Sequence, residues 1–268
     1  GISTAKLVSP FFKVGGTLQK PAVVLDSTNA LVTGAAARIG AAIAEALHQR
    51  GCQVAVHCNS NRDGADALAD RLNTERGGSA FVVQADLSQP GGVEDVAAQV
   101  GARSERLDLL VNNASRFYPN VVGETHAWQW EDLMNSNLRG PWFLVQALLG
   151  RLRAAGGSVV NIIDVYAERP LRGHSVYCIS KAGLAMMTRT LAWELGPAVR
   201  VNGVAPGAIL WPESGADDAA KQAILDRTAL GRVGAASDIA SAVAYLALDA
   251  PYVTGQILAV DGGRTLNM

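Results

Sequence analysis

The sequence predicts an α/β fold: a doubly wound sheet of seven parallel strands with helices on both faces. Short apolar runs alternate with amphipathic segments along almost the whole chain. The runs are continuously apolar, which is typical of strands buried on both faces of a parallel sheet. No repeat or linker divides the chain, so we predict one domain over residues 27–268. Residues 1–26 are interpreted as an N-terminal tail, part of which can derive from an expression vector.

The first unit predicts strand, turn and helix. Residues 29–34 form an apolar run ending in glycine, and apolar residues at helical spacing follow over 38–50. The unit repeats with a run at 53–58 and an amphipathic segment at 64–75. Further strands are expected at Ala80–Gln84, Leu107–Asn112, Ser158–Ile163, Val199–Val204 and Ile257–Val260. This alternation is typical of a Rossmann-type sheet.

Composition excludes several classes of protein. Hydrophobic residues make up 49% and charged residues 18% of the chain, and the formal net charge is −1. No basic stripe or long apolar span is present, so we expect neither a nucleic-acid partner nor a membrane helix. The three cysteines lack CxxC spacing and the histidines are dispersed, so we predict no disulfide framework and no metal site. A cytoplasmic location fits this composition.

A glycine-containing turn follows the first predicted strand and precedes the first helix. It runs from Thr33 through Gly34, Arg38 and Ile39 to Gly40. Backbone N–H groups and the helix dipole at such a turn favour a pyrophosphate. The turn therefore predicts a dinucleotide site.

The end of the second predicted strand indicates which dinucleotide binds. Folds that bind NAD place a carboxylate about 20 residues beyond the glycines, but here the chain has His57, Asn59 and Ser60. Arg38 could place a guanidinium beside the phosphates or over a substrate ring. We therefore predict NADPH rather than NADH. Arg38 and Arg62 could equally be solvated surface charges.

Further cofactor contacts are expected at the carboxyl ends of the later strands, where ligands bind in such sheets. They are Asp86, Leu87, Asn113, Ala114, Ser115, Pro206 and Gly207.

Tyr177 and Lys181 are one helical turn apart, so the phenol and the ammonium share a face. A nearby cation stabilises a phenolate, so we expect Lys181 to lower the pKa of Tyr177 and make it a usable proton donor. Both residues are also predicted to contact the cofactor.

These motifs, with Asn137, fall in the order of the short-chain dehydrogenases/reductases, and the chain resembles that superfamily from about Asn29 onward. The resemblance implies that Tyr177 is the acid, that Lys181 orients the nicotinamide ribose, and that Asn137 helps to hold a proton-relay water. It also implies a homotetramer. The apolar residues of the Tyr177 helix could face a partner or the core of the monomer: Val176, Leu184, Met187 and Leu191.

Asp164 departs from the superfamily pattern, which has a serine thirteen residues before the tyrosine. A carboxylate cannot donate to a carbonyl oxygen unless it is protonated, but it can accept from amino and N–H groups or pass protons. Asp164 therefore suits a nitrogen heterocycle better than a ketone. Together with the run from Asn112 to Pro119 and with Arg38, it resembles the pteridine reductases.

That resemblance implies a pterin stacked on Phe117, contacts from Arg38 and Ser115, and protons supplied by Asp164 with Tyr177. Phe117 could instead be a core aromatic, and Tyr118 could be the ring that faces the site. Leu210 and Trp211 lie in a predicted substrate lid, from residue 208 to about 227.

Three functions remain open from the sequence. The first is NADPH-dependent reduction of dihydropterin or dihydrobiopterin, and of biopterin or dihydrofolate, to the tetrahydro form. The second is reduction of a ketone or ketoacyl substrate. The third is a non-catalytic NADP-sensing protein, against which the complete set of Asn137, Tyr177 and Lys181 argues.

Overall fold

Seven parallel strands form one sheet in the computed structural model, which describes residues 28–209 and 218–267. The strands are β1 (Asn29–Val32), β2 (Gln53–Cys58), β3 (Ala80–Gln84), β4 (Leu109–Asn112), β5 (Ser158–Ile162), β6 (Arg200–Pro206) and β7 (Ile257–Val260). Their spatial order is β3-β2-β1-β4-β5-β6-β7. The predicted seven-stranded doubly wound sheet is confirmed.

Eight helices connect the described strands. They are α1 (Arg38–Gln49), α2 (Arg62–Glu75), α3 (Gly92–Gly101), α4 (Ala127–Met134), α5 (Gly140–Ala155), α6 (Ser175–Leu195), α7 (Asp218–Asp226) and α8 (Ala236–Ala244). A π-helical turn, Asn135–Arg139, joins α4 to α5. None of the helices in the described ranges is long and apolar enough to cross a membrane.

The core consists of two layers, one on each face of the sheet. Neighbouring residues of β1 show the alternation: Val32 packs with α1, α2 and α8, whereas Leu31 packs with α3, α5 and α6. Each fully buried leucine or isoleucine contributes about 2 kcal/mol relative to exposure. Strands such as β4 and β5 are covered on both faces and are buried along their whole length, whereas the edge strand β7 is partly exposed.

Helix α6 presents two different faces. Val176, Leu184, Met187 and Leu191 are buried within the monomer, so they face its core and not a partner. The opposite face exposes Ile179, Met186 and Trp193 instead.

The observed element boundaries differ from the predicted ones by a few residues. Strand β4 begins at Leu109 rather than Leu107, and β6 extends to Pro206. Helix α2 begins earlier than predicted because the Asn61 side chain accepts the Gly64 N–H and caps it. Of the predicted lid, Ala208, Ile209 and α7 are described. Leu210, Trp211 and the predicted N-terminal tail lie outside the described residues.

Strand order reverses between β1 and β4, because β2 lies on one side of β1 and β4 on the other. At such a point the connections leave in opposite directions and open a crevice at the carboxyl ends of the strands. The fold therefore places its ligand site at the ends of β1 and β4.

Candidate active site

A cavity of about 420 Å³ opens at this crevice. Most residues predicted for the cofactor line it: Gly34, Arg38, Ile39, Gly40, His57, Asn59, Ser60, Asp86, Leu87, Asn113, Ala114 and Ser115. Four others do not. Tyr177 and Lys181 lie with Asp164 in the candidate catalytic cluster, and Pro206 and Gly207 lie at the end of β6.

The glycine turn at this cavity is tightly packed. A Cβ at Gly40 would lie 2.1 Å from the Gly34 carbonyl oxygen and 2.6 Å from the Asn113 side chain. Arg38 has a φ of 54°, in the left-handed region where a side chain costs about 1 kcal/mol. Backbone strain of this kind is concentrated at ligand sites.

The N-terminus of α1 forms part of the cavity wall. Ala37 supplies no side-chain cap, and the first turn carries no acidic residue. The backbone N–H groups and the positive end of the helix dipole are therefore suited to an anion. The donor set fits the pyrophosphate of a dinucleotide, as the sequence predicted.

His57 lies beneath the glycine turn and binds it through a hydrogen bond. Its Nδ1 accepts the Gly34 N–H at 3.1 Å, so Nε2 carries the proton and donates to the Ala85 carbonyl at 3.1 Å. Burial lowers the pKa of His57 to about 4, so it is neutral at physiological pH. Both ring nitrogens are engaged within the protein, so His57 holds the turn in place at the cavity wall.

Asp86 is the acidic residue lining the cavity at the end of β3. Burial alone would raise its pKa, but hydrogen bonds from Ser88 and Asn59 and the charge of Arg116 hold the pKa below its usual range. The Ser88 hydroxyl donates to Asp86 Oδ1 at 2.6 Å. Asp86 therefore remains ionised. No acidic residue at the end of β2 lines the cavity within the described ranges.

Tyr177 and Asp164 form the centre of the catalytic cluster. The Tyr177 hydroxyl donates to Asp164 Oδ2 at 2.7 Å. Asp164 Oδ1 accepts the Tyr166 N–H at 2.9 Å, which fixes the carboxyl group after β5. The pair joins the end of a strand to the first turn of α6.

Lys181 lies one turn further along α6, completely within the protein. Its Nζ donates to the Ile162 carbonyl at 3.0 Å and lies 5.7 Å from the centroid of the Tyr177 ring. Burial lowers the pKa of Lys181 to about 8, against the opposing charge of Asp164.

The protonation of the pair differs from the sequence expectation. Burial and the adjacent Asp164 raise the pKa of Tyr177 above its usual value, rather than Lys181 lowering it. The main cause is burial, which disfavours the charged phenolate, and the Asp164 carboxylate in direct hydrogen-bond contact adds to it. Burial likewise raises the pKa of Asp164, against hydrogen bonds from Tyr166 and Tyr177. The structure thus favours a protonated Tyr177 that donates to Asp164.

Phe117 and Tyr118 point in different directions. The Phe117 ring is 55% exposed, stacks on His174 and meets Tyr177 edge to face, with both centroid distances 4.7 Å. The Tyr118 hydroxyl donates to Asp132 Oδ2 at 3.0 Å. Phe117 is therefore the ring of this pair beside the catalytic tyrosine, and it is not a core aromatic.

Asn137 is fully buried in the π-helical turn. Its Nδ2 donates to the Arg116 carbonyl and the Ser180 hydroxyl, both at 3.0 Å, and its Oδ1 accepts the Arg116 N–H at 2.8 Å. One acceptor position at most remains on this side chain. The predicted role of Asn137 in holding a relay water stays a prediction, and its visible role is to fix the loop before Phe117.

Sequence reasoning missed several residues of the site. Arg116 lines the cofactor cavity and pairs with Asp86 and Asp132. Asn120 Oδ1 accepts the Val176 N–H at 2.9 Å and so caps the catalytic helix. Arg116 lies within the run from Asn112 to Pro119, so the sequence offered a signal for it. Its partners lie 16 and 30 residues away in the chain, however, and no local pattern shows that they meet.

Comparison with known proteins agrees with this geometry. The family model described as enoyl-(acyl carrier protein) reductase matches residues 34–265. A 3-oxoacyl-(acyl-carrier-protein) reductase of Staphylococcus epidermidis is 34% identical over 239 residues, covering 88% of this chain and 98% of the relative. Pteridine reductase 1 of Leishmania tarentolae is 34% identical over 281 residues, covering 88% and 96%.

A solved structure is also similar. A blue fluorescent protein from a metagenomic library, in complex with NADPH, shares 36% identity and a TM-score of 0.82. The match covers 88% of this chain and 97% of that protein. NADPH, predicted from the residues after the second strand and from Arg38, is thus the cofactor found with this relative.

Proposed function

Because the chain belongs to the short-chain dehydrogenase/reductase superfamily, we propose that it reduces pterins with NADPH as hydride donor. The substrates are dihydropterin or dihydrobiopterin, with biopterin and dihydrofolate as further candidates, and the products are the tetrahydro forms. One observation carries the proposal: Asp164 replaces the superfamily serine and accepts a hydrogen bond from Tyr177.

The residues divide the work of the reduction as follows. NADPH, when bound, supplies the hydride. The uncapped N-terminus of α1 and the cavity around it would hold its phosphates. No carboxylate at the end of β2 lines the described cavity, so a 2′-phosphate would not be repelled there. Lys181 is placed beside Tyr177 to orient the nicotinamide ribose, as the family resemblance implies.

Tyr177 and Asp164 would supply the proton that the reduction needs. Tyr177 is protonated in the pair and can donate to a ring nitrogen. When Asp164 is itself protonated, which burial favours by raising its pKa, it can pass its proton to Tyr177 and then take up another from water. As an acceptor, Asp164 can also bind an amino or N–H group of a pterin. Phe117 provides an exposed ring on which a flat heterocycle can stack.

A ketoacyl reductase is the second candidate. The staphylococcal 3-oxoacyl relatives are as similar in sequence as the pteridine reductase. Tyr177 in its protonated form can also donate to a carbonyl oxygen. A ketone, however, offers no amino or N–H group to the acceptor oxygens of Asp164, so this function has the weaker support.

NADPH oxidation at 340 nm tests the two candidates with dihydrobiopterin, dihydrofolate and a panel of ketones and ketoacyl thioesters. We expect turnover of the pterin by the wild type, and a loss of about 100-fold or more in Asp164→Ser, within the range for a proton-transfer group. Asp70→Ser, at an exposed position of α2, is the matched control and should retain full activity. Turnover of ketones alone would establish the second candidate.

We also propose a homotetramer, as the superfamily resemblance implies. The outer face of α6 exposes Ile179, Met186 and Trp193 at intervals of seven residues, so they form one apolar stripe. A second copy of the chain would cover it. Sedimentation velocity should show a tetramer for the wild type and a smaller species for Met186→Glu. A monomeric wild type would contradict this assembly.

A further inference from the structure

A chain of polar side chains crosses one wall of the cofactor cavity. Asn59, at the end of β2, lines the cavity with Asp86, at the end of β3, and helps to keep the pKa of that carboxyl below its usual range. Arg116, after β4, pairs with Asp86 across 3.4 Å through Nη2 and with Asp132 of α4 through Nη1. Asn59, Asp86 and Arg116 all line the cavity. The guanidinium therefore links the cavity wall to α4.

The same arginine fixes the position of Phe117. Its backbone N–H and carbonyl group are both bound by the Asn137 side chain. Asp132, which binds the Arg116 guanidinium, also accepts the Tyr118 hydroxyl at Oδ2. Both chain neighbours of Phe117 are thus held by one carboxylate, so a change at the cavity wall is transmitted to this ring.

Charge makes Arg116 important for an anionic cofactor. The guanidinium balances one of the two carboxylates, and without it Asp86 and Asp132 would both be unopposed at or near the cavity. Both carboxylates and Arg116 are partly buried, so water screens their charges incompletely. Two unopposed carboxylates would repel a polyphosphate cofactor.

From these contacts we infer that Arg116 is a positioning residue that retains NADPH and couples its cavity to the Phe117 loop. The inference rests on the proposed NADPH site but not on the pterin assignment. Two separable effects follow. Loss of the guanidinium charge weakens cofactor binding, and loss of the Asp132 contact loosens the loop alone.

NADPH titration, followed by the fluorescence of the bound nicotinamide, tests the first effect in the full chain at low and high salt. Arg116→Met should raise the NADPH Kd about tenfold at low salt, and less at high salt because salt screens the repulsion. Arg116→Lys should restore most of the affinity by restoring the charge. Arg71→Met, which removes an exposed ion pair with Glu45 on the outer helices, is the matched control and should match the wild type.

Asp132→Asn tests the second effect. This substitution removes the negative charge of Asp132, while Arg116 keeps its pairing with Asp86. The NADPH Kd should therefore not rise. The KM for whichever substrate the wild type turns over should rise about fivefold, the scale of one lost charge-assisted hydrogen bond in a partly exposed setting.

Two results would overturn the inference while NADPH binding by the wild type stands. One is an Arg116→Met Kd within twofold of the wild type. The other is a loss of affinity that is equal at all salt concentrations and unaffected by Arg116→Lys, as expected of a purely structural residue. A wild type that does not bind NADPH would instead overturn the proposed function, and this inference with it.

Discussion

The cofactor cavity and the catalytic cluster lie at the same edge of the sheet but are built in different ways. The cavity is formed largely by backbone and small side chains, such as Gly34, Gly40 and Ala114, and its one histidine is held neutral. The cluster is formed by buried ionisable side chains, Asp164, Tyr177 and Lys181, that shift each other's pKa. Cofactor binding here depends on backbone shape and on a balance of charges at the cavity wall, whereas the chemistry depends on the proton affinity of buried side chains.

The largest effect should come from the cluster. Tyr177→Phe removes the proton donor while keeping the ring against Phe117, so kcat should fall about 10³-fold. The NADPH Kd should change little, since Tyr177 does not line the cavity. Steady-state kinetics and a binding titration measure both. Tyr252→Phe, on the surface, is the control. An activity near that of the wild type would show that Tyr177 is not the proton donor.

A change in backbone shape should have its effect at the cavity. Gly40→Ala places a Cβ against the Gly34 carbonyl, so we expect a loss of stability of about 3 kcal/mol and weak NADPH binding. Gly150→Ala is a matched control, because a Cβ at that α5 position meets nothing within 4 Å. It should stabilise the protein by about 1 kcal/mol. Urea denaturation measures the stability of both variants. Equal changes in stability for Gly40→Ala and Gly150→Ala would contradict the close packing at Gly40.

His57 should give the cavity a pH dependence of stability. Its pKa is lowered from 6.5 to about 4 in the folded protein, so the unfolded chain binds a proton first as the pH falls. The wild type should lose about 3 kcal/mol between pH 6.5 and pH 4 from this group alone. His57→Asn should lack this slope, while exposed His126→Asn should keep it. Urea unfolding at several pH values measures the difference, and a slope unchanged in His57→Asn would show that His57 is not its source.

The smallest effect should come from the stacking ring. Phe117→Leu keeps an apolar side chain but loses the flat face, so the KM for dihydrobiopterin should rise about tenfold at the scale of one aromatic contact. Phe143→Leu, which removes an exposed ring on α5, is the control and should leave this KM unchanged. Equal KM values for Phe117→Leu and the wild type would mean that the substrate does not stack there.

The same contrast explains what could be predicted from the sequence. The glycine turn and the residues after β2 and β3 are local in the chain, and their order along a doubly wound sheet determines where they meet. The Tyr177 and Lys181 pair is local as well. The raised pKa of Tyr177 was not predictable, because it depends first on burial in the folded chain and then on a hydrogen bond to Asp164, whose side chain is oriented by the Tyr166 N–H.

The role of Arg116 was missed for a similar reason. Its guanidinium pairs with Asp86 and Asp132, which lie on other elements, and its backbone is bound by Asn137. The choice between Phe117 and Tyr118 also depended on a distant residue, since Asp132 draws the Tyr118 hydroxyl towards α4. Contacts between elements, rather than motifs, decide these positions.

The pH dependence of kcat for dihydrobiopterin, in the wild type and Asp164→Asn, tests the central claim most directly. If a protonated Asp164 replenishes Tyr177, wild-type kcat should fall as the pH rises through the raised pKa of Asp164. Asp164→Asn should have low activity and lack that decline, retaining only a change below pH 8 as Lys181, whose pKa Asp164 no longer raises, loses its proton. A wild-type pH profile preserved in Asp164→Asn would contradict the account.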